Sequence, residues 1–210
     1  VSVDTVGNYG WTSADAPESC QYLAPRVLDL LRILNAARIL DLGAGNGALC
    51  GLIHGDGREV VGMECDHIGL ELARARHPDI KFYQYAVNDE PAVLLRDEAP
   101  FDAVVSTEVV EHLYAPHQLP IYARAVLKDG GYLVVSTPYH GYFKNLVLSL
   151  LDKWDAHHTA LWHGGHIKFW SRASLSRLLT ENGLRVLSFA GVGRVPYLWK
   201  SMILVAQRTT

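Results

Sequence analysis

In the stretch TEVVEHLYAPH, Thr107 to His117, two carboxylates and an imidazole stand at relative positions 0, 3 and 4: Glu108, Glu111 and His112. On a helix those positions share one face. Crowded together, the three groups repel or titrate unless something gathers them: a proton, a partner cation or a metal. Carboxylate and imidazole donors suit Mg2+, Mn2+ and other borderline divalent ions, with coordination positions left open for a substrate oxygen. The plainer alternative is a solvated helix start. Glutamates favour the positive end of a helix dipole, and charged side chains are mostly found on surfaces.

A second group of residues lies upstream, in DLGAGNGA, Asp41 to Ala48. Glycines at 43, 45 and 47 permit a tight turn and close approach of a ligand where a strand gives way to a helix. Gly43, Gly45 and Ala48 also satisfy the pattern GxGxxA, which by itself is equally compatible with a structural turn. The next strand ends in Glu64, 17 residues after Gly47. A carboxylate there accepts hydrogen bonds from both ribose hydroxyls, so the pair of features points to a nucleoside cofactor. Asp41 narrows the choice. An acidic side chain two residues before the first glycine would repel a pyrophosphate, whereas it suits a cationic ligand. That weighs against an NAD-dependent oxidoreductase, the other user of such a loop.

The elements that must position these residues follow from the apolar pattern. Residues 1–18 are polar and turn-rich and read as a loop or lid. Leu23, Val27, Leu30, Leu31 and Leu34 then recur at helical spacing, with Ser19 as the N-cap. Short apolar runs at 38–43, 59–64, 80–87, 101–108 and 131–138 read as strands, with helical patterns between them, notably 68–76 and 119–127. Such alternation predicts parallel βαβ units in a three-layer α/β sandwich. The ending differs: a helix over about 171–182 leads into LRVLSFAGV and SMILVAQR, two strands with no helix between them, hence an antiparallel hairpin on the sheet edge. Residues 139–168 interrupt the alternation and form a substrate-side insertion within a single domain spanning 1–210.

LDLGAGNG, with Asp41 and Glu64, resembles the first motif and ribose-binding acid of class I S-adenosylmethionine-dependent methyltransferases. FDAVVSTEVVEHL, LKDGGYLVVSTP and the closing hairpin match the later strands, so the resemblance covers roughly residues 22–208. It implies a Rossmann-like, mostly parallel sheet of seven strands with the last antiparallel. It also implies S-adenosylmethionine held by Asp41, Gly43, Ala44, Gly45, Gly47, Glu64, Cys65 and Thr107. Many members carry an Asp near the end of the third strand, facing the adenine amine. Here YQYAVND puts Tyr85 about there, so adenine recognition falls to the backbone of Ala86 and Val87.

Within that family TEVVEHL resembles the ubiquinone-biosynthesis O-methyltransferases and the small-RNA 3′-end 2′-O-methyltransferases. In the second subgroup the E-x-x-E-H residues and a distant His bind a divalent metal, and that His sits in a stretch like HIKFWSR. The resemblance therefore implies Glu108, Glu111, His112 and His166 as ligands of Mg2+ or Mn2+, with His163 as a fallback. His112 and His140, the latter in TPYHGY after the fifth strand, are the catalytic candidates. Methyl transfer from a sulfonium needs a largely deprotonated oxygen in line with the S–CH3 bond, and a phenol with pKa near 10 is mostly protonated at neutral pH. A metal-assisted O-methylation of a catechol-like or sugar-diol acceptor is the expectation, and a metal-independent methyltransferase the alternative.

Composition bounds the partners. With 19 Lys+Arg against 22 Asp+Glu and a formal net charge of −3, the chain has no basic stripe for a nucleic-acid backbone. RNA methylation therefore ranks low, and a small or lipid-like acceptor is expected. Three cysteines without CxxC spacing suggest a reducing compartment, and no apolar run reaches the about 18 residues of a spanning helix, so a cytoplasmic setting is expected. Phe143, Leu146, Val147, Leu150, Leu151 and Trp154 form an apolar helical stripe. It reads as a helix packed on the core, or as a lid or peripheral membrane patch over 142–154. Arg194, Tyr197 and Trp199 in the hairpin loop are candidates for shaping the acceptor pocket, with aromatic core packing the equal alternative. The pattern does not fix the oligomeric state.

Overall fold

A computed structural model describes residues 10–158, 161 and 165–209. Helix α1 (Glu18–Ile33) precedes β1 (Arg38–Leu42), α2 (Ala48–Gly55), β2 (Glu59–Met63), α3 (His67–Arg76), β3 (Lys81–Tyr83), α4 (Pro91–Asp97) and β4 (Phe101–Thr107). There follow α5 (Gln118–Val126), β5 (Leu127–Pro138), α6 (Tyr142–Leu150), α7 (Trp154–His158), α8 (Arg172–Glu181), β6 (Leu184–Val192) and β7 (Ser201–Arg208). The seven strands pair in the order β3-β2-β1-β4-β5-β7-β6. All neighbours are parallel except β7, which runs antiparallel to both β5 and β6. The Rossmann-like sandwich with its closing hairpin is thus the architecture that the alternation of apolar runs predicts.

Period-two alternation splits each central strand between two cores. Ile39, Val105, Val134 and Ile203 face the layer of α1 and α2. Leu40, Leu42, Val104, Leu133 and Met202 face the layer of α5 and α8. The strands therefore read as continuous apolar runs because both faces are covered. Helix α8 begins with a capping box: Ser171 Oγ accepts from the Ser174 backbone N–H, while Ser174 Oγ accepts from the Ser171 backbone N–H.

Two local expectations move. Helix α1 starts at Glu18 behind Pro17, so Ser19 lies inside the first turn rather than capping it. Strand β3 stops at Tyr83, because the chain beyond it turns, with Asp89 Oδ2 accepting from the Ala86 backbone N–H at 2.8 Å.

Candidate active site

The carboxyl ends of β1, β2 and β4 open onto one cavity of about 1180 Å3. Gly43 turns the chain out of β1 with φ +86°, and its backbone N–H donates to the Met63 carbonyl at 2.8 Å. A Cβ on Gly43 would stand 2.4 Å from Val109 Cγ2, so the loop and the segment after β4 pack closely because no side chain intervenes. Gly45 is covered by Trp11 in the same way, since a Cβ there would meet the indole at 2.4 Å. Asp41, Gly43, Ala44, Gly45, Glu64 and Cys65 all line the cavity, as do Ala86, Val87 and Thr107. Gly47 does not. It caps the start of α2, where an added Cβ would stand 2.9 Å from Ala73 Cβ and 3.1 Å from Phe82.

Both acids of the loop are buried. Glu64 accepts from the backbone N–H of Gly45 and of Asp66, each at 2.7 Å, which fixes the carboxylate at the mouth of β2. Asp41 accepts a hydrogen bond from Cys50 Sγ at 3.2 Å on one oxygen and has no hydrogen bond on the other. Burial is the main reason that its carboxyl is pushed up to about 7; the Cys50 contact lowers it and the nearby Glu64 charge raises it. An unpaired carboxylate in that position is well matched to a cationic ligand.

Two cavity-lining residues, Trp11 and Pro17, carry no signal in the sequence, whereas Tyr85 lies where the sequence places it. Trp11 and Pro17 come from the segment before α1, and Tyr85 and Asn88 from the loop after β3. The buried Asn46 donates through Nδ2 to the carbonyls of Ser13 at 3.1 Å and Asp15 at 2.8 Å. Arg76 Nη1 donates to the Ala14 carbonyl at 2.7 Å. Residues 10–17 are thereby strapped across the glycine loop, which places the expected lid for the part that is described.

The acidic segment after β4 departs from its expected form. Glu108 to Leu113 make a turn rather than a helix, and α5 begins only at Gln118. Glu108 sits at φ +55°, an uncommon conformation for a residue with a side chain, and one that clusters at functional sites. Its two oxygens accept from Ser136 Oγ at 2.7 Å and Ser201 Oγ at 3.0 Å. Burial pushes Glu108 up to about 7, against the lowering effect of those two hydroxyls and of the Lys144 ammonium. Glu108 thus belongs to a serine-lined recess, not to the group of prospective metal ligands.

Among the described residues that group has three members. Glu111, His112 and His166 each offer a ligand atom, and these atoms all lie within 4.8 Å of one another. His166 Nε2 is 3.9 Å from Glu111 Oε1. The segment carrying His166 is brought there by backbone pairing: the N–H groups of Ile167 and Lys168 both donate to the Glu111 carbonyl at 3.0 Å. His112 Nδ1 lies 3.3 Å from the Gly165 carbonyl, which can only accept; with the proton on Nδ1, Nε2 is the nitrogen able to bind a cation. Glu111 is fully buried; neither carboxylate oxygen has a hydrogen bond of ordinary geometry, although the Thr137 side chain is close enough to lower its pKa. Burial first, then the Glu108 charge, push its pKa well above the usual carboxylate range. Burial and the neighbouring imidazoles of His112, His157 and His158 push His166 down to about 4, which keeps it neutral. An orphaned buried carboxylate opposite two imidazoles fits a divalent cation.

The remaining expectations fall elsewhere. His140 does not line the cavity; it is buried against His157, His158 and Phe169, and burial pushes it down to about 3. Trp199 packs on Tyr139 and Phe189, while Arg194 and Tyr197 are exposed and outside the lining. His163 lies outside the described residues.

A family profile described as a methyltransferase domain matches residues 16–189. The ubiquinone biosynthesis O-methyltransferase of Roseobacter denitrificans is 30% identical over 166 residues, which are 77% of this chain and 65% of that protein. Its counterpart from Maricaulis maris is 31% identical over 110 residues, 50% of this chain and 42% of that protein. This chain thus spans less than two thirds of the length of either relative. Among solved structures, the methyltransferase domain of bacterial CtHen1-CN superposes with a TM-score of 0.65 at 22% identity, covering 88% of this chain and 97% of that one. The magnesium protoporphyrin IX methyltransferase of Synechocystis, with bound SAH, gives 0.66 at 16% identity over 89% of this chain and 82% of that one. At those identities the likeness speaks for the fold.

Proposed function

This chain belongs to the methyltransferase domain family, and from that premise we propose that it is an S-adenosylmethionine-dependent O-methyltransferase with a divalent-cation site at Glu111, His112 and His166. The observation that carries the cation site is the buried, unbonded Glu111 carboxylate facing two imidazoles. A mixed set of two imidazoles and one carboxylate favours Mn2+ over Mg2+, which prefers oxygen donors and retains water. When bound, the cation would lower the pKa of an acceptor oxygen placed against it and fix that oxygen's orientation.

The chain's own residues supply the rest. We assign the ribose hydroxyls to Glu64, at the end of β2, and the cofactor's positive charge to the unpaired oxygen of Asp41, since both residues line the cavity. The strap of residues 10–17 would shield the glycine loop from water. In the transfer an acceptor oxygen lone pair forms the bond to the methyl carbon, and the S–C bond pair returns to sulfur. Glu108 lines the cavity beside His112, and its pKa of about 7 matches a group that takes up the acceptor proton at neutral pH. The acceptor is a small or lipid-like hydroxyl compound. Apolar lining by Leu113, Val109 and Ile167, the names of the relatives and the absence of excess positive charge all favour it over RNA.

Calorimetric titration of the chelator-treated protein with MnCl2, and separately with S-adenosylmethionine, tests the two halves of the reading. Stoichiometric Mn2+ binding that is weakened in both Glu111→Gln and His166→Ala is expected. Mn2+ binding unchanged in both variants would leave a metal-independent methyltransferase, in which Glu111 stays protonated.

A further inference from the structure

Strand β1 carries its residues alternately to the two faces of the sheet, so Asp41 shares a face with Ile39 and looks toward the layer of α1 and α2. Its backbone is fixed by parallel pairing on both sides, with Gly62 of β2 and Val105 of β4. Only the side-chain torsions remain free. Glu64, the other acid of the cofactor end, has its carboxylate held by two backbone N–H groups. Asp41 has no such support. Among the described residues its carboxylate has a single hydrogen-bond donor, the Cys50 thiol, 3.2 Å from Oδ2.

Cys50 stands in the first turn of α2 and is fully buried in the apolar layer that also holds Leu49 and Ile53. It does not line the cavity, whereas Asp41 does. Asp41 is itself buried, and its Oδ1 has no hydrogen bond. With one oxygen tied, the carboxylate offers the other in a fixed direction; untied, it would turn about χ2 without losing a contact. Fixing it before the ligand arrives lowers the ordering cost of binding. A thiol suits the place. It packs as a small hydrophobe and donates weakly, so it orients the carboxylate without standing in for a cationic partner.

We propose that Cys50 is a positioning residue for the cofactor, its thiol tying one oxygen of Asp41 so that the other meets the cationic methionine end of S-adenosylmethionine. The role is positional, because Cys50 forms no part of the cavity wall. It rests on the cofactor reading above and is independent of the cation site. It also separates the two ends of the cofactor. Glu64 keeps its hydrogen bonds from Gly45 and Asp66 when residue 50 changes, so the adenosine end should not sense the substitution.

The test is titration calorimetry of wild type, Cys50→Ala, Cys50→Val and Cys50→Ser with S-adenosylmethionine and, separately, with 5′-methylthioadenosine. The second ligand keeps the nucleoside and the thioether but carries neither the ammonium nor the sulfonium. Cys50→Ala and Cys50→Val remove the donor and are expected to bind S-adenosylmethionine about three- to tenfold more weakly, with 5′-methylthioadenosine binding held within about twofold. Cys50→Ser restores a donor and should recover most of the S-adenosylmethionine affinity. Equal weakening toward both ligands, or loss of both, would make residue 50 a packing residue and overturns the proposal. So does S-adenosylmethionine binding that is unchanged in Cys50→Ala and Cys50→Val, or a Cys50→Ser that binds no better than Cys50→Ala. Wild type that binds neither ligand refutes the cofactor reading itself, a result distinct from any of the variant outcomes, and takes the inference with it.

Discussion

Replacing Asp41 by Asn separates what the site costs the fold from what it gives the ligand. In the folded apoprotein the Asp41 carboxyl titrates near 7, raised by burial from the ordinary 3.8. The unfolded chain sheds this proton near pH 4 and the folded chain near pH 7, so between those values the folded state holds one proton more. Stability then falls as pH rises through the window. At about 1.4 kcal/mol per pH unit, the gap from 3.8 to about 7 corresponds to a loss of roughly 4 kcal/mol, complete above pH 7. Asn carries no proton to lose, and its amide is nearly the same size. Urea unfolding of both proteins without cofactor, from pH 4 to pH 8, should show Asp41→Asn gaining relative to wild type as pH rises. The gain should level off near pH 7 at about 2–4 kcal/mol, the upper figure applying only if relaxation and water entry recover nothing. The same variant should bind S-adenosylmethionine at least about tenfold more weakly, since a charge-assisted contact becomes a neutral one. A stability difference that is constant across the pH range would refute the argument, because it would mean that Asp41 keeps its charge in the folded apoprotein.

Three further outcomes follow from other parts of the site. Glu111→Gln and His166→Ala should each lower Mn2+ affinity by about tenfold or more, measured by titration calorimetry, and both should do so in the absence of any methyl acceptor. Gly43→Ala should cost about 1–3 kcal/mol in chemical denaturation, because the new Cβ meets Val109 at 2.4 Å and the backbone sits at φ +86°. Asn46→Asp replaces the donor of two hydrogen bonds to Ser13 and Asp15 by an acceptor; protease cleavage within residues 10–17 should rise several-fold, and added S-adenosylhomocysteine should suppress it.

Much of the fold can be read along the chain because the central strands are covered on both sides, so RILDL, FDAVVST and GYLVVST stand out as apolar runs. The last hairpin is equally plain, its two strands following α8 with no helix between them. Glu64 and Asp41 could be placed from spacing alone, since a strand end and a glycine turn fix both. The acidic segment was harder. Intervals of three and one suit a helix face, but Glu108 adopts a left-handed backbone that no pattern announces, and its side chain turns to Ser136 and Ser201, 28 and 93 residues away. His166 reaches Glu111 through two backbone hydrogen bonds across more than fifty residues, so only likeness to known sequences pointed to it. Lys144 shows the opposite limit: the helical stripe around it was legible, yet nothing in the pattern announces that the lysine of Tyr142–Leu150 is the side chain the fold buries.

Trp11 rests on Gly45, and Asn46 ties Ser13 and Asp15 across the same turn. A nucleoside seated under that fastening would be caged on one side, and the spent donor would depart only as these eight residues peel back. Turnover on a reactive acceptor would then be timed by an unlatching event rather than by bond making, and loosening the latch would quicken the catalyst while weakening its hold on fresh donor.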